Sequence, residues 1–211
     1  MADILNNKRK RIAIFASGNG SNLQAIIDYS KNNDINGDVV FVLSNNADAF
    51  ALKRARNSNI DTECIPYNMN SSRIEFDGKI SQAIKNKNID LICLAGYMLL
   101  LSPDFIDEYK NKIINIHPSL LPSFKGLHGI RDAFDYGVKV TGVTVHFVDR
   151  ELDNGPIILQ EPVLIREGET AEELEGNIHE VEHKLYPRAV GFFCRDELKI
   201  IDRKVLIIER S

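Results

Sequence analysis

Short apolar runs alternate with segments of helical apolar spacing along the first half of the chain. The apolar runs predict buried strands at residues 11–16, 38–43, 60–65, 90–95 and 113–117. Apolar residues three or four positions apart predict helices near residues 23–29, 47–58 and 72–86. This alternation indicates an α/β fold with a mostly parallel central sheet and helices on both faces.

The second half of the chain has a different pattern of apolar and polar residues. In chain order the pattern predicts a helix at 129–136, alternating strands at 139–148 and 156–165, a long helix at 169–193, and a C-terminal hairpin of residues 198–201 and 205–208. Thr170 is suited to cap the long helix, because acidic residues follow it in the first turn. Pro187 predicts a kink or an early end of that helix, since proline lacks the N–H that a helical hydrogen bond needs.

Composition limits the classes of function. A length of 211 residues suits one domain, and a net charge of −4 gives no support for a nucleic-acid partner. No apolar run is long enough to cross a membrane. The three cysteines are far apart and form no CxxC pair, which fits reduced thiols in the cytoplasm. We expect residues 1–10 to be a solvated basic lead-in and not a signal peptide.

Asn115 and His117 are the first candidates for chemistry. They stand two residues apart near the end of a predicted buried strand, so their side chains share a face. Ligands of open α/β sheets bind at the carboxyl ends of the strands. An amide and an imidazole can both donate hydrogen bonds to the oxyanion of an acyl transfer. The alternative is a structural strand end with a satisfied histidine.

The turn at residues 17–22, SGNGSN, is a candidate phosphate site. Gly18 and Gly20 allow a tight turn, and the N-terminus of the following helix suits an anion. The lysine of a P-loop is missing, and Leu23 replaces the third glycine of a dinucleotide fingerprint. A sugar monophosphate is therefore the expected ligand, and an ordinary strand–helix turn is the alternative.

Asp153 and the remaining histidines complete the candidate set. Asp153 begins the turn signal DNGP, and a turn role competes with a role as the partner that stabilises a charged His117. His117, His128 and His146 are too widely spaced to predict a metal site. His146 lies within an alternating strand, which predicts a packed or surface histidine.

Taken together, these stretches resemble the glycinamide ribonucleotide formyltransferases, the folate-dependent formyltransferases of de novo purine synthesis. The resemblance runs from about residue 12 to 202. It rests on SGNGSNLQAIID at 17–28, SNNADAFALKRA at 44–55, LAGYMLLLSP at 94–103, INIHPSLLPSFKGLH at 114–128, TGVTVHFV at 141–148 and ELDNGPIILQ at 151–160. The sequence His117-Pro118-Ser119 separates the chain from methionyl-tRNA formyltransferases, which typically carry His-Gly-Ser. It also separates the chain from formyltetrahydrofolate hydrolases, which typically carry His-His-Ser.

The resemblance implies a Rossmann-like formyltransferase fold in a single domain at 11–211. Its nucleotide-phosphate half would cover about 11–110 and its folate and catalytic half about 111–211. The implied site residues are Asn115, His117 and Asp153 for catalysis; Gly20, Ser21, Asn22, His179 and Glu182 for the ribonucleotide; and Arg73, Met98, Leu99, Leu100, Leu101 and again Asn115 for folate. Many members carry glutamine at the position of His179 and arginine at that of Leu99.

The implied reaction transfers a formyl group from the co-substrate 10-formyltetrahydrofolate to the amine of glycinamide ribonucleotide, without a metal. The implied partners are these small molecules, with neither nucleic acid nor membrane, and a homodimer is the assembly to test. Two alternatives remain open: a hydrolase that releases formate to water, and a nucleotide-binding module without catalysis.

Overall fold

The computed structural model describes residues 8–32, 35–68 and 72–208. In chain order the elements are β1 (Lys10–Phe15), α1 (Ser21–Lys31), β2 (Gly37–Ser44), α2 (Phe50–Asn57), β3 (Asp61–Cys64), α3 (Arg73–Ile84), β4 (Leu91–Leu94), α4 (Pro103–Glu108), β5 (Ile113–His117), α5 (Gly129–Tyr136), β6 (Val140–Phe147), β7 (Ile157–Leu164), α6 (Ala171–Cys194), β8 (Leu198–Ile201) and β9 (Lys204–Ile207). The strands of the described ranges form one sheet in the order β3-β2-β1-β4-β5-β6-β7-β9-β8.

Strand β1 lies where the order of the sheet reverses. It pairs in parallel with β2 on one side and with β4 on the other. Chain segments that leave β1 and β4 therefore diverge and open a crevice at the carboxyl ends of these strands. Such a switch point is the usual ligand site of open α/β sheets.

Helices cover both faces of the sheet, as the sequence predicts. Ile12 and Ile14 of β1 face one apolar cluster, which includes residues of α1, α2 and α6. Ala13 and Phe15 face a second cluster, which includes residues of α3 and α4. Successive side chains of a strand point to opposite faces, so a strand that is apolar throughout serves both clusters.

Beyond β5 the strands pair antiparallel, except that β9 pairs in parallel with β7. Strand β6 pairs antiparallel with β5 and with β7, and the predicted hairpin of β8 and β9 joins the sheet through β7. The pairing of β5 with β6 places Asn115 opposite His146 and His117 opposite Thr144. The end of β5 is thus held from both sides, by β4 and by β6.

Helix α6 continues through Pro187 to Cys194, so the early end, one of the two outcomes predicted at this proline, is wrong, and the kink stays a prediction. Its buried face holds the helix where one hydrogen bond is missing. Tyr186 is fully buried, and its hydroxyl lies 2.9 Å from the carbonyl oxygen of Leu94 and 3.0 Å from that of Ile114. These contacts join the helix to β4 and β5 next to the proline.

The predicted lead-in at 1–10 is also wrong at its inner boundary. Lys10 begins β1 and forms an ion pair with Asp196 at 3.0 Å. The guanidinium of Arg9 donates hydrogen bonds to Asp38 and to the carbonyl oxygen of Gly37. The basic residues nearest the sheet therefore belong to the fold, while residues 1–7 lie outside the described part of the chain.

Candidate active site

A cavity of about 590 Å³ opens at the carboxyl ends of the central strands. Several segments line it: residues 17–22 after β1, residues 94–101 around the end of β4, residues 115–118 at the end of β5, residues 146–153 from β6 onward, and one face of α6, with further contributions from Ile106, Gly126, Leu127 and Ile130. The cavity thus occupies the switch point that the strand order creates.

The ring of His117 is held at both nitrogens. Its Nε2 lies 2.7 Å from the carbonyl oxygen of Phe124, and its Nδ1 lies 3.5 Å from Oδ2 of Asp153. A carbonyl oxygen can only accept, so Nε2 carries the proton of the neutral ring. A second proton would sit on Nδ1, the nitrogen that faces the carboxylate.

Asp153 combines the two roles that the sequence left open. Its backbone is left-handed, with φ of 46°, as a residue of a tight turn. Its side chain is buried, and Oδ2 accepts a hydrogen bond of 2.8 Å from the N–H of Gly126. The turn therefore holds the carboxylate against His117.

His146 is the site residue that sequence reasoning missed. Its ring is buried, as a packed histidine should be, but it forms part of the cavity wall. Its Nε2 lies 3.3 Å from Nδ2 of Asn115 and 3.8 Å from Oδ1 of Asp153. The only available signal was cross-strand register, which a single sequence does not reveal when the partner strand is unknown.

The glycine-rich turn forms another wall of the cavity. Gly20 has φ of 75° and stands at the N-cap position of α1, where it offers no capping side chain. The first N–H groups of α1 at Ser21 and Asn22 are therefore available to an anion. A Cβ at residue 20 would lie 2.7 Å from Cβ of Ala51, so the close approach of α2 also requires glycine there.

Glu182 links α6 to the same turn. Its Oε2 accepts a hydrogen bond of 2.9 Å from Nδ2 of Asn22. Burial raises the pKa of the Glu182 carboxyl, although the hydrogen bond from Asn22 opposes this shift. His179 lines the cavity one turn earlier on α6, and its ring stacks on that of His183 with centroids 6.3 Å apart.

The segment at 98–101 supplies an apolar wall. The N–H of Met98 donates to Oγ of Ser17 at 2.9 Å, which ties this segment to the glycine-rich turn. The side chains of Met98 and Leu100 are 57% and 63% exposed, whereas Leu99 packs against the apolar cluster of α3 and α4. Two exposed apolar side chains at a cavity are well placed to cover an apolar ligand.

Arg73 is the one predicted site residue that does not line this cavity. It starts α3, and its guanidinium lies over the rings of Tyr67 and Phe76, 4.6 and 5.7 Å from their centroids. The structure thus brings together every other predicted site residue and leaves Arg73 outside.

Residues 8–32, 35–68 and 72–208 contain neither a metal-binding cluster nor a helix suited to span a membrane. No group of three or more histidine, cysteine, aspartate or glutamate side chains is arranged to hold a metal ion there. In the same ranges no helix is both long enough and apolar enough to span a membrane.

Residues 10–190 match the formyl transferase family. The phosphoribosylglycinamide formyltransferase of Escherichia coli (strain K12) is 43% identical over 189 residues, which are 90% of this chain and 89% of that protein. The chain belongs to the formyl transferase family. A solved structure of glycinamide ribonucleotide transformylase 1 from Symbiobacterium toebii resembles this formyl transferase with a TM-score of 0.94 and 42% identity, over 99% of this chain and 98% of that chain.

Other relatives of this formyl transferase differ in length or in named activity. It spans only 15% and 18% of the trifunctional purine biosynthetic proteins adenosine-3 of Chironomus tentans and Homo sapiens, at 41% and 42% identity. A formyltetrahydrofolate deformylase from Pseudomonas syringae has a TM-score of 0.89 but 27% identity, over 95% of this chain and 66% of that chain. The fold is therefore shared between transfer and hydrolysis, and the higher identity lies with the transferases.

Proposed function

We propose that this formyl transferase moves the formyl group of 10-formyltetrahydrofolate to the amine of glycinamide ribonucleotide in de novo purine synthesis. The products are the N-formyl ribonucleotide and tetrahydrofolate. One observation carries the proposal: a single cavity is lined both by Asn115, His117 and Asp153 and by an uncapped, glycine-rich helix N-terminus. The first group suits acyl transfer and the second suits a phosphate.

The reaction needs no nucleophile from the protein. The substrate amine attacks the formyl carbon, a new C–N bond forms, and the carbonyl oxygen becomes an oxyanion. Asn115 Nδ2 donates to that oxygen, a contribution on the order of 3 kcal/mol to transition-state stabilisation, and the charged ring of His117 stabilises the oxyanion electrostatically. The bond from the formyl carbon to the folate nitrogen then breaks. The His117 imidazolium gives one proton to the folate nitrogen, and the neutral ring that results, or an ordered water, takes the proton that the amine loses.

Asp153 supports the charged form of His117. Its carboxylate faces Nδ1, the nitrogen that must hold the second proton, and the ring is fixed at the other end by Phe124. An opposite charge at this distance stabilises the imidazolium. The hydrogen bond from Gly126 keeps the carboxylate in place, so the charge does not have to reorganise during the reaction.

The substrate assignments follow the lining of the cavity. We assign the phosphate to Gly20, Ser21 and Asn22, and the ribose to His179 and Glu182. We assign the folate to the backbone and apolar side chains of residues 98–101, together with Asn115. Arg73, which lies outside the cavity, stays a folate contact proposed from the family resemblance alone.

The setting of the enzyme is also proposed. Residues 11–211, together with the start of β1 at Lys10, act as one domain, and a sheet that is continuous from β3 to β8 supports this. A cytoplasmic location is supported by three unpaired thiols at Cys64, Cys93 and Cys194. A homodimer rests on the family resemblance alone, and sedimentation of the purified protein tests it.

The proposed function is tested by following the change in absorbance that occurs when the folate loses its formyl group. With both substrates present we expect steady turnover, and without the ribonucleotide we expect turnover to stop almost completely. Turnover that continues at the same rate without the ribonucleotide would identify a hydrolase. Binding of the ribonucleotide without any folate turnover would identify a binding module.

A further inference from the structure

His146 lies against Asn115 in an arrangement that fixes its hydrogen-bonding state. Its Nδ1 lies 2.9 Å from the carbonyl oxygen of Phe147, which can only accept. Nδ1 therefore carries the proton of the neutral ring, and Nε2 presents a lone pair. The 3.3 Å contact from Nε2 to Asn115 Nδ2 is then a hydrogen bond that Asn115 donates.

We propose that neutral His146 is a positioning residue for formyl transfer, which accepts one amide proton of Asn115 so that the other is directed at the oxyanion. This inference rests on the proposed function of the site. Asn115 has two amide protons and one amide oxygen, and the two ends of the amide are nearly equal in size. The lone pair of His146 selects the orientation in which the NH₂ group, and not the oxygen, faces the reacting group.

The reversed amide would hinder the reaction. Its oxygen would face the lone pair of His146, an unfavourable contact between two acceptors. Rotating the amide away from His146 would expose its oxygen to the developing oxyanion, where it would repel negative charge. The contribution of His146 therefore appears in the transition state, where the oxyanion exists, and not in substrate binding.

The surroundings of His146 keep its ring neutral. The side chain is almost fully buried, and burial lowers its pKa. The charged group of His117 acts in the same direction, whereas Asp153 and Asp149 oppose the shift. A protonated Nε2 would instead donate toward Asp153, 3.8 Å away, and would turn the amide of Asn115 around.

Backbone geometry holds the two residues together. Asn115 on β5 and His146 on β6 are direct cross-strand partners. The pairing of β6 with β7 shifts register between Val145 and His146, on the other side of the strand. Such irregularities re-aim a side chain and are frequent beside active sites.

Two substitutions distinguish the role of His146 as a hydrogen-bond acceptor from the space that its side chain fills. His146→Leu fills much of the space without an acceptor, and His146→Gln retains a carbonyl that can accept from Asn115. We expect kcat to fall at least tenfold in the leucine variant, with both KM values within about threefold, and to recover most of that loss in the glutamine variant. Thr141→Val is the matched control, because it removes another buried polar group of β6, one whose Oγ1 has no partner within the described residues. The control should keep the wild-type kcat.

A double-mutant cycle tests whether His146 acts through Asn115. In an Asn115→Ala background, His146→Leu should lower kcat no further, because the amide it positions is already gone. Multiplicative losses from the two substitutions would overturn the proposal, and so would a leucine variant with full kcat or a glutamine variant as slow as the leucine one.

Nitrogen NMR of the labelled imidazole in wild-type protein keeps the inference testable if a variant does not fold. We expect a protonated Nδ1 and an unprotonated Nε2 for His146 at neutral pH. A ring protonated on Nε2 would overturn the inference. The NMR measurement of the tautomer does not depend on turnover. If the wild type transferred no formyl group, the proposed function would be refuted, and the tautomer would still show whether His146 accepts a hydrogen bond from Asn115.

Discussion

The charge of Asp153 can be removed with little change in side-chain shape, which allows its contribution to turnover to be measured. Asp153→Asn keeps the turn and the volume but removes the charge that faces Nδ1 of His117. The imidazolium that forms on His117 during formyl transfer then loses the opposite charge that supports it. We expect kcat to fall by roughly 100-fold, the scale of one lost transition-state donor, while both substrate affinities change little. Steady-state kinetics, with NMR titration of the His117 ring, provide the measurement.

If either measurement were unchanged by the substitution, the role of Asp153 would be limited to forming the turn. An unchanged protonation curve for His117, or unchanged turnover, would show that the carboxylate does not support the imidazolium. An equal fall in affinity and kcat would instead indicate a distorted loop.

We expect Glu182 to lower the free energy of unfolding at neutral pH but not at low pH. Burial raises its pKa in the folded state above the value of 4.5 that applies to an unfolded chain. The folded state thus keeps a proton that the unfolded state has lost, and stability declines as pH rises through the folded-state pKa. Glu182→Gln cannot ionise, so its melting temperature should match the wild type well below pH 4.5 and exceed it at neutral pH. Each kcal/mol of difference corresponds to about 2–4 °C for a chain of this size.

Thermal melts of the two proteins across this pH range check the prediction. A difference in melting temperature that is constant with pH would contradict it. Ribonucleotide affinity, measured by calorimetry, should meanwhile fall in the glutamine variant if Glu182 binds the ribose as proposed.

Single residues were predictable where the chemistry lay on one strand or one turn. Asn115 and His117 share a strand face, and the DNGP turn marked Asp153. His146 was not predictable as a site residue, because its importance comes from the antiparallel pairing of β6 with β5. Arg73 was predicted by resemblance and stays a prediction, and in the structure its guanidinium lies over Tyr67 and Phe76.

At the scale of elements, the turn between β1 and α1 needs one of its glycines more than the other. Gly20 has a positive φ and would place a Cβ 2.7 Å from Ala51, whereas a Cβ at Gly18 would meet nothing within 4 Å. We expect Gly20→Ala to lower the free energy of unfolding by at least about 1 kcal/mol, the cost of a left-handed alanine, and to weaken ribonucleotide binding. Gly18→Ala is the matched control and should fold with wild-type stability.

Urea denaturation and ribonucleotide titration of both alanine variants decide this prediction. Equal stability of the two variants would contradict the packing argument. Equal loss of ribonucleotide and folate affinity in Gly20→Ala would contradict a localised phosphate site.

Element boundaries follow local signals until tertiary packing overrides them. Thr170 caps α6 as predicted, with its side chain accepting from the N–H of Glu173. Pro187 did not end the helix, because the buried contacts of Tyr186 with two strand carbonyls hold the next turns in place. The sequence pattern reveals the missing hydrogen bond but not the packing that compensates for it.

At the scale of the whole molecule, the order of the strands is what creates the site. Alternating strands and helices predicted the parallel half of the sheet, but not the reversal at β1 that opens the crevice. Nor did they predict that β5 would be the last parallel strand before the antiparallel half. Long-range pairing of this kind depends on contacts between distant segments, which local periodicity does not encode.

The destination of the formyl carbon tests the proposed function most directly. The purified protein is incubated with glycinamide ribonucleotide and with 10-formyltetrahydrofolate that carries carbon-13 in its formyl group. The products are then separated and analysed by mass spectrometry. We predict that the label appears in the formylated ribonucleotide, in a one-to-one ratio with tetrahydrofolate. Label that appears in free formate, with the ribonucleotide unchanged, would contradict formyl transfer.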